Sequence, residues 1–368
     1  MVYRVIGTMS GSSLDGLDIA FVELQETAGK WKFELKNSAC YEYTPEWKDK
    51  LSGACDLNAK RYNLLHTEYG HYTGELINRF ISENNLQYQV QLISSHGHTT
   101  FHMPEARTTS QLGCGASIAA ETGINVVCDL RAMDVALGGQ GAPIVPIGEK
   151  LLLGDAMYFL NLGGIANISF NSGEKHIAFD VCPANRVLNM LAATQNKEFD
   201  DNGSLASAGK VDDDMLKMLN GLEYYSLPYP KSLSNDFGTE VVYPIVAQQN
   251  SKVEDALRTY VEHICQQVLL SVSSLQSEFN SSSMSSQQML VTGGGARNSF
   301  VVRRLTELLS DRNVLVDVPE NDLSDYKEAI IMALIGVLRW REENNVLASV
   351  TGASRNSIGG AVWIGQEA

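Results

Sequence analysis

Apolar and polar residues alternate in two groups of short segments, and each group surrounds a glycine-rich turn. Alternation with a period of two predicts strands, and the short turns between them predict antiparallel hairpins. One group predicts a three-stranded meander at the start of the chain, and the other predicts a similar meander from residue 157 onward. The predicted strands are 2–7, 17–24 and 31–36 in the first group and 157–162, 166–170 and 175–180 in the second.

Other segments carry apolar residues at the spacing of a helix, most clearly over 58–84 and 253–276. Short apolar runs near these helices predict buried strands of a parallel sheet. The pattern indicates an α/β fold, and the two meanders suggest a duplicated domain with a cleft between the copies. The polar run 280–288 is predicted to be a surface loop. The remaining predicted elements are strands 91–95, 124–129, 289–293 and 313–318 and helices 299–309 and 325–341.

Composition narrows the class of protein. The chain has 368 residues, 44% hydrophobic and 19% charged, which excludes collagen-like, disordered and coiled-coil proteins. No apolar run approaches the roughly 20 residues of a membrane span and no leader pattern opens the chain, so we expect a cytoplasmic protein. The six cysteines include no CxxC pair, which argues against a disulfide framework. The net charge of −15 argues against nucleic acid and membranes as partners.

The turn of the first meander, GTMSGSSLDGLD at 7–18, combines three glycines with hydroxyl and carboxyl side chains. Glycine allows backbone N–H groups to approach a phosphate closely. The lysine of the GxxxxGK[ST] loop is absent, so a hairpin would hold the phosphate in place of a P-loop helix. The alternative is an ordinary hairpin with a polar turn.

Two further glycine loops follow predicted strands. Gly163 and Gly164 lie at the corresponding turn of the second meander, where they would form a second phosphate loop or a plain turn. In TGGGARN, the backbone of Gly293–Gly295 would accept a flat ring or a ribose, with Asn298 as its hydrogen-bond partner. This pattern suits an adenosine site. The GxGxxG spacing of a dinucleotide site is absent.

The segment SSHGHTTFH at 94–102 contains His96, His98 and His102. Imidazole clusters bind zinc, but no nearby carboxylate or thiolate would complete such a site. Hydrogen bonding to sugar hydroxyls, or a role in turn structure, is the favoured interpretation.

Arg131 lies between Asp129 and Asp134 just beyond a predicted strand. An arginine there could clamp a carboxylate or a phosphate, or it could form structural salt bridges. The glycines within 138–141 would suit a turn or a hinge between lobes.

Asp180 ends a predicted strand, and Pro183 is placed to begin a helix. Asp180 could act as a general base, or it could cap the helix or form a salt bridge. Glu328 fits a solvated first turn of a helix, and Lys231 fits either the surface or a phosphate contact.

Taken together, these segments resemble the anhydro-N-acetylmuramic acid kinases, members of the actin, sugar kinase and heat-shock chaperone superfamily. The resemblance runs nearly end to end and implies a duplicated actin-like (ribonuclease H-like) two-lobed sugar kinase fold with a central cleft. It implies an N-terminal lobe of residues 1–135 plus 355–368 and a C-terminal lobe of residues 136–354. The matching segments are GTMSGSSLDGLD, SSHGHTTFH, DLRAMDVALGGQGAP, NLGGIANIS, FDVCPANRV, LVTGGGARN, KEA and VTGAS.

The resemblance implies an ATP-dependent kinase that opens the 1,6-anhydro ring of anhydro-N-acetylmuramic acid with water and phosphorylates the 6-oxygen. The products would be N-acetylmuramic acid 6-phosphate and ADP. One carboxylate would take a proton from the attacking water while phosphoryl transfer captures the departing oxygen. ATP and Mg²⁺ would be the cofactors, the amino sugar would be the substrate, and a homodimer is allowed.

Site residues follow from the same resemblance. Asp180 would be the catalytic base. The residues implied at the nucleotide are Gly11, Ser12, Ser13, Leu14, Asp15, Gly16, Leu17, Asp18, Gly163, Gly164, Gly293, Gly294, Gly295 and Asn298. The residues implied at the sugar are His96, Asp129, Arg131, Asn185 and Glu328, and no metal ligand is implied.

The chain departs from the family pattern in two places. Where the common form reads DTGPGN, residues 180–185 read DVCPAN, and 235–236 are Asn and Asp where the family often has Arg and Glu. A kinase for a related amino sugar therefore stays an alternative. A nucleotide-switched binding protein of the same fold is a second alternative, because actin-like folds serve both roles.

Overall fold

The computed structural model describes almost the whole chain. Ser12, Asn235 and most of the predicted loop 280–288 lie outside the described residues. The described residues are 1–11, 13–154, 156–173, 175–229, 231–234, 236–247, 252–279, 286–319 and 321–365.

The chain divides into two compact units. Unit 1 comprises Met1–Leu153 and Tyr326–Ala368, and unit 2 comprises Gly154–Asp325. The predicted lobe boundaries, at 135/136 and 354/355, differ from these positions. The segment that precedes Gly154 and the segment that follows Tyr326 both belong to unit 1.

The difference in boundaries has a local cause at the buried side chain of Asp134. Its Oδ2 accepts a hydrogen bond from the Gly141 amide at 2.8 Å, and its Oδ1 accepts one from the Thr351 hydroxyl at 2.7 Å. The Gln140 amide also donates to the Thr351 carbonyl at 2.8 Å. The glycine run 138–141, predicted as a turn or hinge between lobes, is therefore held inside unit 1.

Unit 1 is built on a seven-stranded mixed sheet. Its strands are β1 (Val2–Ser10), β2 (Gly16–Thr27), β3 (Lys30–Glu42), β4 (Leu92–Met103), β5 (Thr108–Leu112), β6 (Val126–Cys128) and β12 (Ala361–Trp363). The predicted antiparallel meander β1-β2-β3 is confirmed, and β4 and β6 extend the sheet in parallel with β1. The order is β12-β6-β4-β1-β2-β3, with β5 beside β4.

Unit 2 repeats this arrangement. Its strands are β7 (Tyr158–Leu162), β8 (Ile165–Asn171), β9 (His176–Pro183), β10 (Gln287–Thr292) and β11 (Val314–Asp317). β7, β8 and β9 form an antiparallel meander, β10 runs parallel to β7, and β11 runs parallel to β10. The order β11-β10-β7-β8-β9 matches β6-β4-β1-β2-β3 of unit 1. The predicted duplicated α/β fold is therefore confirmed.

The long helices match the predicted amphipathic segments. The Asn58 side chain accepts a hydrogen bond from the Arg61 amide and caps the first of them. No helix in the described part of the chain is long and apolar enough to cross a bilayer. The helices are α1 (Pro45–Ser52), α2 (Ala59–Glu83), α3 (Gly115–Thr122), α4 (Ala132–Ala136), α5 (Pro146–Leu152), α6 (Asn185–Ala193), α7 (Ser204–Ala208), α8 (Asp213–Asn220), α9 (Tyr243–Ala247), α10 (Val253–Glu278), α11 (Ser299–Ser310), α12 (Asn321–Trp340) and α13 (Ala348–Thr351).

Two strands extend further than their sequence pattern predicts. β4 continues through the histidine segment, so His96 and His98 lie within a strand instead of beyond its end. β9 continues through Pro183, so Asp180 lies within a strand and the proline ends that strand instead of beginning a helix. Both extensions carry polar residues and are held by strand pairing, to β5 and to β8 respectively.

Close packing at two points in unit 1 constrains its sequence. A Cβ at Gly7 of β1 would lie 1.9 Å from the Ala329 carbonyl oxygen of α12, so only glycine allows this approach of strand and helix. Nearby, the Lys327 ammonium donates to Glu149 Oε1 at 3.1 Å. Both side chains of this ion pair are buried, with 7% and 4% of their surface exposed.

Candidate functional site

Asp180 lies on β9, opposite Asn167 of β8. Its amide donates to the Lys231 carbonyl at 3.2 Å, and its carbonyl accepts a hydrogen bond from the Tyr224 hydroxyl at 2.7 Å. Its carboxylate Oδ2 accepts a hydrogen bond from the Leu233 amide at 2.8 Å. No hydrogen bond to Oδ1 is formed within the described residues, so one carboxylate oxygen is held while the other stays available.

The surroundings of Asp180 favour its neutral form. Burial raises the pKa of Asp180 above its usual range, and the hydrogen bond from the Leu233 amide opposes that rise. A carboxylate with a raised pKa accepts a proton more readily, which suits a general base.

Lys231 lies half-buried on the segment that pairs with Asp180. Its ammonium is 4.7 Å from the centroid of the Tyr224 ring and donates to the Tyr224 carbonyl at 3.3 Å. Burial lowers the pKa of Lys231. The aromatic contact and the hydrogen bond place this cation against unit 2 instead of free at the surface.

The glycine turn between β7 and β8 packs over the start of α6. The Gly164 carbonyl accepts a hydrogen bond from the Ala184 amide at 2.8 Å, and the Gly163 carbonyl accepts one from the Asn185 amide at 3.0 Å. A Cβ at Gly163 or Gly164 would come no closer than 3.4 or 3.9 Å to a neighbour. Packing therefore does not explain these two glycines, because a side chain at either position would meet only ordinary contacts.

In the loop Gly293–Gly295, close packing requires the glycines at both ends. A Cβ at Gly293, where φ is +83°, would lie 2.4 Å from Asn161 Oδ1, and one at Gly295 would lie 2.7 Å from Leu162 Cβ. The Asn185 side chain lies against this loop and donates from Nδ2 to the Leu162 carbonyl at 2.8 Å. Asn185, implied at the sugar, therefore joins α6 to the β7–β8 turn through its side chain.

Asn298 caps α11. Its Oδ1 accepts a hydrogen bond from the Val301 amide at 3.2 Å. A Cβ at Gly203 would lie 2.5 Å from that same Oδ1, so the glycine leaves space for the cap. The side-chain oxygen of Asn298, a residue predicted to contact the nucleoside, is therefore used within the protein.

The hairpin between β1 and β2 separates into an open tip and a packed base. At the tip, a Cβ on Gly11 would meet only the Ser13 side chain at 3.5 Å, and the Leu14 amide donates to the Gly11 carbonyl. At the base, a Cβ on Gly16 would lie 2.5 Å from the Tyr41 carbonyl oxygen, and Leu17 is 1% exposed. Gly16 and Leu17 are therefore parts of the sheet, while Gly11, Ser13, Leu14 and Asp15 are the described residues of the predicted phosphate loop that stay at least partly exposed.

In unit 1, the structure joins three of the residues implied at the sugar. Arg131 donates from Nε to His96 Nε2 at 2.8 Å and from its guanidinium to the Gly141 carbonyl at 2.6 Å. Burial lowers the pKa of Arg131 to about 10, and the negative charges of Glu328 and Asp134 oppose this change. Burial and the neighbouring Arg131 lower the pKa of His96 to about 3, so this imidazole is neutral at physiological pH.

Asp129 belongs to a different environment within unit 1. It is exposed, adopts φ of +55° and accepts a hydrogen bond on Oδ2 from the Cys128 thiol at 3.4 Å. Its carboxylate raises the pKa of His66, opposing the larger effect of burial.

The three histidines of β4 have separate partners. His96 bonds to Arg131, His98 bonds to Ser10, and His102 Nδ1 lies 3.1 Å from the Thr109 hydroxyl. Across the residues that the structure describes, no three His, Cys, Asp or Glu side chains are grouped to hold a metal ion.

Comparison with known proteins identifies the family. The family model described as "AnmK: Anhydro-N-acetylmuramic acid kinase" matches residues 3–365. The chain is 32% identical to the anhydro-N-acetylmuramic acid kinase of Aliivibrio fischeri over 372 residues, covering 98% of this chain and 99% of that protein. It is also 32% identical to the kinase of that name from Pasteurella multocida, covering 97% of this chain and 96% of that protein.

The chain belongs to the anhydro-N-acetylmuramic acid kinase family. The resemblance read from its motifs is therefore confirmed over nearly the whole length, and the protein is an ATP-dependent carbohydrate kinase. Among solved structures, an activator of 2-hydroxyisocaproyl-CoA dehydratase from Clostridium difficile with bound ADPNP aligns over 92% of this chain and 96% of that one, with 15% identity. Its TM-score of 0.41 is too low to establish a shared fold.

Sequence reasoning missed the residues that hold Asp180 in this member of the family. Tyr224 binds the Asp180 carbonyl, and the Leu233 amide binds its carboxylate, across 44 and 53 residues of sequence. A backbone amide leaves no signature in a sequence, so Leu233 could not have been identified. The ring nearest the Lys231 ammonium, that of Tyr224, was visible in EYYS, but nothing local connects this segment to Asp180.

We expect the Asn298→Ala variant to be less stable by about 1 kcal/mol, because the α11 cap is lost. Asn298→Ser keeps a capping oxygen and should retain nearly all of the stability. Thermal unfolding of both variants measures the cap, and the KM for ATP measures any separate contact with the nucleoside. An unchanged melting temperature in Asn298→Ala would contradict the capping role.

Proposed function

We propose that this protein opens the 1,6-anhydro ring of anhydro-N-acetylmuramic acid with water and transfers the γ-phosphoryl group of ATP to the 6-oxygen. The observation that carries the proposal is the state of Asp180. Its carboxylate is half-buried, oriented through Oδ2 by the Leu233 amide, and has a raised pKa. These are the properties of a general base for water.

The reaction balances with one protein carboxylate. Water attacks the anomeric carbon and gives a proton to Asp180 Oδ1, and the bond between that carbon and the 6-oxygen breaks. The 6-oxygen takes the γ-phosphoryl group, and ADP leaves with the electron pair of the broken phosphoanhydride bond. An ordinary glycosidase needs a second carboxyl group to protonate the leaving oxygen, whereas phosphoryl transfer captures that oxygen here.

Glycine turns from both units supply the nucleotide contacts in this proposal. In unit 1, the open tip at Gly11 and Ser13–Asp15 would offer backbone N–H groups and the Ser13 hydroxyl to phosphate. In unit 2, Gly163 and Gly164 leave their backbone accessible, and Gly293–Gly295 would face the nucleoside. Ser12 would belong to the phosphate contacts as well, and it lies outside the described residues.

Magnesium fits this chain as an ion that accompanies the nucleotide. Mg²⁺ usually keeps several waters and takes one or two carboxylates together with substrate phosphates. The described residues offer no three-ligand cluster, and Asp15 is an exposed carboxylate on the hairpin tip. When bound, the ion would neutralise charge on the phosphates during transfer.

The sugar contacts are proposed for His96, Arg131 and Glu328 of unit 1, with Asp129 at their margin and Asn185 in unit 2. The Arg131 guanidinium keeps donors beyond those used by His96 and Gly141 and can bind a carboxylate or hydroxyl of an amino sugar. Unit 1 would thus carry one phosphate hairpin and part of the sugar site. Unit 2 would carry the second loop, the base and the adenosine site.

A coupled assay tests the reaction. We expect ADP release to depend on added anhydro-N-acetylmuramic acid, and mass spectrometry in heavy-oxygen water should find one solvent oxygen at the anomeric position of a 6-phosphorylated product. Release that no sugar accelerates would favour the nucleotide-switched binding protein. Release with another amino sugar only would favour a related kinase, with the changes at 181–184 and 235–236 as the cause.

Two further features stay predictions. Action in the cytoplasm is expected from the sequence, and a homodimer is allowed by the family resemblance. Fractionation of the native cells and analytical ultracentrifugation of the purified protein would measure them.

A further inference from the structure

The proposed mechanism gives no role to two histidines of β4, His98 and His102, and of these His98 is the more deeply buried. It lies opposite Ser10 in the pairing of β4 with β1, and 6% of the residue is exposed. The distance between its Nδ1 atom and the Ser10 hydroxyl oxygen is 2.9 Å. Ser10 immediately precedes the hairpin tip that begins at Gly11, so His98 is connected to the predicted phosphate loop.

A chain of buried hydroxyl groups leads to Ser10. The Tyr43 hydroxyl donates to the Ser10 oxygen at 2.7 Å, and the Tyr69 hydroxyl lies 2.5 Å from the Tyr43 oxygen. Burial raises the pKa of both phenols, that of Tyr69 to about 12, so both keep their protons at physiological pH. Because Tyr43 has one proton and gives it to Ser10, Tyr69 must donate to Tyr43.

This order of donors determines the tautomer of His98. The proton on the Tyr43–Ser10 contact belongs to Tyr43, and within the described residues the other hydrogen bond of the Ser10 oxygen is to His98 Nδ1. A proton on Nδ1 would leave the proton of the buried Ser10 hydroxyl without an acceptor, so the Ser10 proton is directed to Nδ1. Burial lowers the pKa of His98, which keeps the ring neutral with its single proton on Nε2. Within the described residues no group accepts a hydrogen bond from this Nε2–H, so a donor is left at the end of the chain of hydroxyls.

His96, two residues earlier, is held in the opposite tautomer. Its Nδ1 lies 2.9 Å from the Gly97 carbonyl, which can only accept, so that nitrogen carries the proton. Its Nε2 accepts from Arg131. The acceptor nitrogen of His96 is therefore used by Arg131, and the groups that remain for a ligand are donors, namely the rest of the Arg131 guanidinium and the Nε2–H of His98.

We propose that Tyr69, Tyr43 and Ser10 are positioning residues that lock His98 as an Nε2–H donor to an acceptor oxygen of the amino sugar. The inference rests on the proposed function. An acetamido carbonyl, a carboxylate or an ether oxygen would satisfy the donor, whereas the other tautomer would place a lone pair against that oxygen and repel it. The relay thus determines which polar groups this part of unit 1 accepts.

The tautomer is measurable without substrate. In protein carrying ¹⁵N- and ¹³C-labelled histidine, we expect the His98 ring to give the signals of a protonated Nε2 and an unprotonated Nδ1, with the assignment made from their loss in His98→Gln. Ser10→Ala should bring in the Nδ1–H form. Ser10→Gly removes the same hydroxyl, so it should also bring in the Nδ1–H form, and this variant serves if Ser10→Ala does not fold.

Ser95→Ala is the matched control for the tautomer. It removes another buried hydroxyl from β4, one that bonds to Thr8 and not to His98, and it should leave the His98 signals unchanged. A wild-type ring protonated on Nδ1 would overturn the inference. So would an unchanged ring in a folded variant that lacks the Ser10 hydroxyl.

Kinetics separate a role in binding from a role in packing. His98→Leu should raise the KM for the sugar roughly 3- to 10-fold, the effect of one neutral hydrogen bond, with kcat and the KM for ATP nearly unchanged. His98→Gln, whose amide can donate at a similar position, should restore the KM. If the wild type phosphorylates the sugar and His98→Leu leaves the KM for the sugar unchanged, this inference is overturned while the proposed function stands. A wild type that phosphorylates no sugar would remove the proposed function, while the tautomer measurement would still decide whether the relay exists.

Discussion

Asp180→Asn is expected to lose about 10²–10⁴-fold in kcat, the contribution of a positioned general base. Asparagine has nearly the same shape and keeps an oxygen that can accept the hydrogen bond from the Leu233 amide. The segment 231–233 should therefore stay in place, and the variant should still bind ATP. A sugar-dependent ADP assay with a nucleotide-binding titration measures both properties. Near-normal turnover would reject Asp180 as the base.

The stability of the same variant provides a check on folding. Burial raises the pKa of Asp180, so the folded state favours the protonated carboxyl, and the ionised form lowers stability at pH values above that pKa. Removing the charge should leave the melting temperature at pH 7 unchanged or higher. Asp311→Asn, at an exposed aspartate after α11, makes the same chemical change away from the site and should keep full activity.

The pH profile of kcat/KM also tests Asp180 as the general base. A general base works only when ionised, so kcat/KM should fall on the acid side as Asp180 takes up a proton. Because burial raises its pKa, this fall should begin at a higher pH than an exposed aspartate would cause. The residual rate of Asp180→Asn should lack this acid limb.

Glu149→Gln is expected to lower the stability of unit 1 by about 3–5 kcal/mol, because it leaves the buried ammonium of Lys327 without a counter-charge. A change of this size corresponds to a fall in melting temperature of about 6–20 °C for a unit of this size. Thermal unfolding followed by circular dichroism and by calorimetry measures it.

Two controls distinguish a buried charge from lost packing. Glu46→Gln breaks the exposed pair between Glu46 and Lys50, which is 2.6 Å long, and should change stability by less than about 1 kcal/mol. Replacing both buried partners, as Glu149→Leu with Lys327→Met, should recover most of the stability. If Glu149→Gln were no more harmful than Glu46→Gln, the buried pair would not be the constraint that its burial indicates.

The fold was largely readable from local patterns. The two meanders, the helix α2 and the alternation of strands and helices after residue 253 all appear where the pattern predicts them. The duplication was visible only as two similar groups of strands, and the matching strand orders confirm it. The short strands β5 and β12 were missed, because three to five residues at a sheet edge carry too few positions for a period to show.

Only part of the candidate site could be predicted from the sequence. Glycine patterns indicated the loops, but only the packing around each glycine separates Gly163 and Gly164, whose backbone is open, from Gly293 and Gly295, which are needed for the turn. Asn298 has the residue type of both a ligand contact and a helix cap, and the structure places its oxygen on the Val301 amide. The glycine run 138–141 looked like a hinge, and the hydrogen bonds of Asp134 hold it within unit 1.

By itself, the sequence determined the duplicated α/β pattern, the positions of the glycine turns and membership in a kinase family, because strand period, helix period and turn chemistry depend on neighbouring residues. Only the tertiary structure decided the protonation chemistry. The amide that orients Asp180 lies 53 residues away, the arginine that uses His96 lies 35 residues away, and the serine that sets the tautomer of His98 lies 88 residues away. Burial and hydrogen bonds between distant segments control such groups, and a local pattern contains neither.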